Sequence, residues 1–288
     1  MEKRRAIRDL IIATLLWGFG FVATVWALRA YSPVEILIYR FGLAAIFGVL
    51  ILFVLTKGRV PWSGSEMRLA APAGFLLAVM QLTQAQGLLT TTATKSGFIT
   101  SLYVVLIPLI EILFLKKRSS LQIYFFSFLA LAGTFLLAGG HYEALAIGDL
   151  WTFACAVLAA IHIIYIGKVA PGIADAFRFN VLQSIVAAVA LLPFLLTQPK
   201  IALPTSDLLP NLGILSLIFG SSLLAFFLQV RAQRHLPNSM ASMVSLLESP
   251  FAAGFGILLL AETLGSVQIS GAVLILLSSA SSIVFDKT

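Results

Sequence analysis

Polar side chains are so scarce in the apolar parts of this sequence that each can be read individually. In the run 239–261 the single charge is Glu248, which follows Ser242 and Ser245 at steps of three and precedes Pro250 by two residues. A carboxylate in such surroundings must be protonated, paired or open to water. Its chemistry is then either proton coupling and amine binding in a cavity, or the anchoring of another polar group near the proline. Gln81 and Gln84, three apart, share one helix face. Thr100, Tyr103 and Ile107 form a comparable stripe, Trp17 and Phe21 are four apart, and His162 and Tyr165 are three apart. Amides, hydroxyls and rings so spaced suit two tasks: lining a pocket for a small organic solute, or joining helices through hydrogen bonds. Pro108 and Pro250 each remove a backbone donor inside an apolar run and are candidate bending points for gating, or static kinks.

The remaining intramembrane charges read as structural. Glu111 lies five residues before Lys116, at a run's end. Arg40, five residues after Glu35, and Lys95, at the head of a run, are expected to reach the membrane surface along their alkyl stems. No Arg or Lys is then expected near the midplane. A phosphorylated sugar or nucleotide-sugar would require one, so a zwitterionic or neutral solute is favoured.

Catalytic chemistry finds no footing. His141, His162 and His235, with the lone Cys155, lack any metal-ligand spacing. Gly167-Lys168 lacks the earlier glycine of a phosphate loop, because position 162 is His. Gly254-Phe255-Gly256 lacks the third glycine of a dinucleotide fingerprint and reads as close helix packing. We therefore expect no cofactor, no metal and no enzyme, and any active transport is expected to be secondary.

The elements that must position these groups follow from composition. Of 288 residues, 60% are hydrophobic and 11% charged, against roughly 25% charged in soluble domains. The chain is an integral membrane protein. Long uninterrupted runs, without the alternation of barrel strands, predict helices. Ten runs of about bilayer length are present: 10–28, 36–55, 69–89, 96–115, 121–139, 149–167, 179–197, 209–230, 239–261 and 266–285. With the N-terminus inside, 15 of the 19 Lys and Arg fall on the cytoplasmic side, from Lys3 and Arg4 through Lys117, Arg118 and Arg178 to Lys287; Arg29, Lys95 and Lys200 fall outside. Both termini are expected to be cytoplasmic, and the net charge of +7 describes orientation rather than a nucleic-acid surface. The first run is longer than a signal-peptide core and contains Trp17 and Trp26, so it is expected to be a retained helix.

The fourth and ninth runs align at an offset of 142, pairing Thr100 with Ser242, Tyr103 with Ser245 and Pro108 with Pro250. Two halves are expected, residues 1–141 and 142–288, each with five spans. An odd number places them in opposite orientation, the inverted-repeat arrangement of many secondary transporters. The expected fold is thus an all-α integral membrane protein, ten helices in two inverted five-helix repeats around a central cavity.

Several segments resemble the drug/metabolite transporter superfamily, in its ten-helix, twin-repeat EamA-type branch that includes amino-acid and metabolite exporters. They are Leu16-Trp-Gly-Phe-Gly-Phe-Val22, Tyr39-Arg-Phe41, the stretch Gln84 to Thr100, Ser249-Pro250, Ala261-Glu-Thr-Leu264 and Gln268-Ile-Ser-Gly-Ala272. The resemblance implies a cavity built mainly by spans 1, 3, 4, 6, 8 and 9, peripheral spans 5 and 10, and export of small metabolites. The expected function is alternating-access transport of amino acids, aromatic or hydrophobic ones included, across a bacterial inner membrane, as monomer or homodimer, coupled to protons or as a uniporter. The rival readings are a lipid scramblase and a broad drug-efflux transporter.

Overall fold

The computed structural model describes residues 1–60, 62–116, 120–139, 146–196, 198 and 205–285. The junction expected between 141 and 142 lies outside these residues, as do Lys117, Arg118, His141, Lys200 and Lys287. The described chain is helical throughout: α1 (Glu2–Ala27), α2 (Pro33–Leu55), α3 (Gly64–Gly87), α4 (Ala93–Thr100), α5 (Tyr103–Leu115), α6 (Leu121–Leu137), α7 (Ile147–Val169), α8 (Ala176–Leu195), α9 (Leu208–Ser216), a π-helical segment (Leu217–Ala225) continuing into α10 (Phe226–Ala232), α11 (Asn238–Ser245), α12 (Glu248–Leu260) and α13 (Ser266–Phe285).

Short polar residues start these helices by accepting from first-turn N–H groups that have no partner within the helix. Ser32 and Glu35 form a reciprocal capping box around Pro33: Glu35 N donates to Ser32 Oγ at 3.3 Å and Ser32 N to Glu35 Oε2 at 2.7 Å. Asp175 accepts from Phe177 N at 2.8 Å and Arg178 N at 3.1 Å to start α8. Among the described residues eight helical stretches are long and apolar enough to cross a bilayer, the joined pairs α4–α5 and α11–α12 counting once each. Leu121–Leu137 is apolar but shorter, and α3 is more polar because it carries Gln81, Thr83, Gln84 and Gln86. Large side chains such as Phe114, Phe128 and Leu258 stand exposed on the outside of the bundle, as a lipid solvent permits.

The two halves interlock rather than sit side by side. α6 packs on α13, α2 on α8, α3 on α7 and α8, and α1 on α9 and α12. Close approach depends on small residues. A methyl group added at Gly18 would sit 2.6 Å from Phe251 Cβ, and one at Gly133 would sit 3.0 Å from the Gly271 carbonyl. Gly254 is not such a contact, contrary to expectation: a methyl there would have no neighbour within 4 Å.

The internal correspondence differs from the one expected. α5 and α12 begin at Tyr103 and Glu248, 145 positions apart (248 less 103). Each ends at a left-handed residue, Lys116 with φ 53° and Ala261 with φ 56°, and α6 and α13 begin at Leu121 and Ser266, all at the same spacing. Thr100 therefore corresponds to Ser245 and Tyr103 to Glu248. An offset of 142 differs by three residues, close to one helical turn, which returns small polar residues to the same face and hides the slip.

Candidate functional site

Both long crossing segments break near their middles. Between α4 and α5 the backbone tightens to three-residue bonds, Leu102 N to Ile99 O at 3.2 Å and Val104 N to Ser101 O at 3.0 Å. Between α11 and α12 the same happens, Leu247 N to Val244 O at 3.1 Å and Ser249 N to Leu246 O at 3.2 Å. Pro250 explains the second break: it lacks the N–H that would reach Leu246 O, and its ring crowds that carbonyl. It is the third residue of α12, where the missing donor costs nothing. Pro108 lies six residues into α5, past the first break, so the two prolines do not occupy matching depths as expected. The breaks face each other. Ser101 and Ser249 are hydrogen-bonded through their hydroxyls, and Ser249 Oγ donates to Gly97 O at 2.8 Å.

Around this junction lies a cavity with about 50 Å³ of space open to the centre of a water molecule, room for roughly four waters. Its walls are related by the same spacing of 145. Trp17 corresponds to His162, Gln84 to Gln229, Thr100 to Ser245 and Tyr103 to Glu248, and all eight line it. Each repeat thus contributes a ring, an amide, a hydroxyl and a polar group at its helix break. Trp17 Nε1, Thr100 Oγ1, Tyr103 OH, His162 Nε2 and Gln229 Oε1 are buried without a hydrogen-bond partner of normal geometry among the described residues. Polar neighbours lie close to three of them, Ser245 by Tyr103, Gln183 by His162 and Cys155 by Thr100, so the cavity wall is polar but only partly bonded within the fold. Met80, Phe226 and Leu217 supply apolar surface, with the Phe226 ring tilted 53° against Trp17 at 5.1 Å between ring centres.

Of the residues singled out in the sequence, Trp17, Gln81, Gln84, Thr100, Tyr103, His162, Ser245 and Glu248 meet at this cavity. Three lie elsewhere. Phe21 packs with Leu88, Ala93 and Ala252. Tyr165 donates to Leu69 O at 2.8 Å, bracing α7 on α3. Ser242 returns its hydroxyl to Ser239 O at 2.8 Å within its own helix. Side chains one turn apart share a helix face but not a depth, so they can reach different neighbours. Glu111 accepts from Asn238 Nδ2 at 2.9 Å, and Lys95 pairs with Asp149 at 2.9 Å.

Arg40 is the principal correction. It does not reach the membrane surface: its residue exposure is 3% and its side chain lines the cavity. Nε donates to Ser222 Oγ at 2.7 Å, Nη2 to Ser221 Oγ at 2.7 Å, and Nη1 to Gln81 Oε1. The absence of a cavity cation, expected from the sequence, is therefore overturned. The receiving serines are neighbours in the π segment, where Asn180 Nδ2 donates to Ser222 O at 2.9 Å and Leu223 O at 3.1 Å. Only the Tyr39-Arg40-Phe41 segment, already notable in the sequence, hinted at this position. Nothing in the sequence signalled Ser221, Ser222 or Gln229.

A multi-pass helical membrane protein with two interlocked repeats and a polar cavity at their junction has the architecture of a transporter. Residues 7–139 and 146–284 each match the EamA-like transporter family, and the chain belongs to that family. An uncharacterized transporter of Archaeoglobus fulgidus is 32% identical over 279 residues, covering 96% of this chain and 85% of that protein. A solved structure, described only as a crystal structure of a protein, superposes with a TM-score of 0.74 over 97% of this chain and 96% of its own, at 17% identity; it is similar in fold.

Proposed function

We propose that this transporter is a secondary carrier of small zwitterionic or neutral organic solutes, amino acids with aromatic or hydrophobic side chains foremost, working outward across a bacterial inner membrane with both termini cytoplasmic. The observation that carries the reading is the cavity itself, where paired amides, hydroxyls and rings from the two repeats converge, with Trp17 Nε1 and Gln229 Oε1 buried without a hydrogen-bond partner among the described residues. Such a lining suits a guest with a polar head and an apolar body. The mechanism is alternating access. The broken pairs α4–α5 and α11–α12 move against each other about the Ser101–Ser249 junction, with Pro250 keeping the second break open and Pro108 a bending point below the first. Glu248, at the second break, is the proposed coupling or amine-binding group.

The test is counterflow of labelled amino acids into liposomes holding the purified protein, run beside fluorescent-lipid scrambling. Counterflow of phenylalanine or leucine is expected. Lipid movement without solute exchange would replace the transporter reading with a scramblase.

A further inference from the structure

The cavity contains a cation that the fold does not neutralise. Among the described residues every bond made by the Arg40 guanidinium goes to a neutral oxygen, those of Ser221, Ser222 and Gln81. A guanidinium cannot shed its proton, and a buried charge without a counter-ion is costly. Of its five N–H donors three are engaged, which leaves one on each terminal nitrogen. Those two N–H groups are the donors left for a carboxylate, a strong partner for a guanidinium. The other charge on the same cavity has the opposite sign: Glu248, whose carboxylate makes no hydrogen bond among the described residues. The two come from different repeats, Arg40 from α2 and Glu248 from the opening of α12.

We infer that Arg40 binds the carboxylate of the transported solute while Glu248 faces its ammonium group, so that the cavity reads both ends of a zwitterion. Deepening the reading above, this assigns the substrate's anionic end to a residue that the sequence alone places at the surface. Charge balance selects the ligand. With Glu248 ionised the site as a whole is neutral and matches a neutral zwitterion, whereas a phosphate dianion would leave the buried site net negative. The serines and Gln81 hold the guanidinium in place before the solute arrives, which lowers the ordering cost of binding.

The test separates binding from transport. Detergent-purified full-length protein is titrated with L-phenylalanine, 3-phenylpropionate (carboxylate only), 2-phenylethylamine (amine only) and phenyl phosphate, and the concentration midpoint of the rise in melting temperature is read. For Arg40→Gln the midpoints for phenylalanine and 3-phenylpropionate are expected to rise roughly 10- to 100-fold, the range of a lost charge-assisted bond, with 2-phenylethylamine moving less than about 2-fold. Glu248→Gln should give the converse pattern, weakening phenylalanine and the amine and sparing 3-phenylpropionate. Equal weakening of all ligands by Arg40→Gln would make Arg40 a structural strut and overturn the assignment. So would a wild type that ignores both carboxylates or prefers phenyl phosphate. If Arg40→Gln does not fold, Arg40→Lys carries the same test, since it keeps the charge and loses the guanidinium donors. Carboxylate-selective weakening supports the assignment, and uniform or absent change overturns it. Carboxylate binding without counterflow in liposomes would sink the transport reading and leave Arg40's role standing.

Discussion

Arginine and glutamate occur in two regions of this protein and do different things there. In the cavity, Arg40 is held by neutral oxygens, and Glu248 makes no hydrogen bond among the described residues. At the end of the bundle that carries the N-terminus, the same residue types are bonded to each other. Arg178 grips Glu66 through two bonds, at 2.5 and 2.7 Å, with both side chains nearly buried, and Arg231 donates to Asp9 at 2.7 Å. A paired charge is satisfied by the fold and contributes to holding helices together. On the reading proposed above, an unpaired one is left for the solute. Pairing, rather than residue type or burial, is what separates the two regions.

The largest effect should come from breaking the bundle-end pair. Arg178→Ala removes both side-chain bonds of a nearly buried carboxylate, leaving it only backbone donors at Ala174 and Asp175, and is expected to destabilise the protein by about 3 kcal/mol, seen as a fall in melting temperature in detergent; a shift of under a degree would erase the contrast between the regions. Acid should act on the same pair. The hydrogen bonds from Arg178 hold the Glu66 carboxyl below its usual range, ahead of the opposing effect of burial. Because the folded value is depressed, the stabilisation is full above the unfolded value of roughly 4.3 and is lost as pH falls through the folded one. Melting temperature should therefore decline below about pH 4 in the wild type more steeply than in Glu66→Gln.

Cavity substitutions should show the opposite pattern, with transport lost and melting nearly unchanged. Gln84→Ala and Gln229→Ala, mates across the two repeats, should each slow phenylalanine counterflow several-fold, the effect of about 1 kcal/mol for a lost hydrogen bond. Comparable losses would make the site symmetric in its amides, whereas a loss confined to one would assign the solute to one repeat. Glu248→Gln is expected to flatten the pH dependence of counterflow; an unaltered profile would remove its coupling role and keep only amine binding. The smallest change should follow Lys95→Gln. Lys95 is partly exposed, and its buried partner Asp149 keeps bonds from Thr91 at 3.1 Å and Ala146 N at 3.0 Å, so a loss of about 1 kcal/mol is expected.

Much of the fold was legible because a bilayer imposes simple rules. Long apolar runs must be helices, and Ser32, Glu35 and Asp175 announce helix starts through chemistry confined to a few neighbouring residues. Eight of the cavity side chains were legible for a related reason: in an apolar run a lone Gln, Thr or Glu is conspicuous. Arg40 was equally conspicuous and was misread. Five residues from a run's end, a long basic side chain can reach the surface, and the partners that draw it inward lie 41, 181 and 182 residues away. The repeat register failed for a helical reason, since a slip of three residues preserves the polar face.

Local rules acting on neighbours along the chain therefore determined the membrane class, the helices, the two repeats and the family resemblance. Tertiary structure alone decided which charges are paired, where the crossing segments break and which side chains share the cavity. These depend on contacts between helices far apart in sequence, and a one-turn change in depth, invisible in periodicity, separates Ser245 at the cavity from Ser242 in the packing.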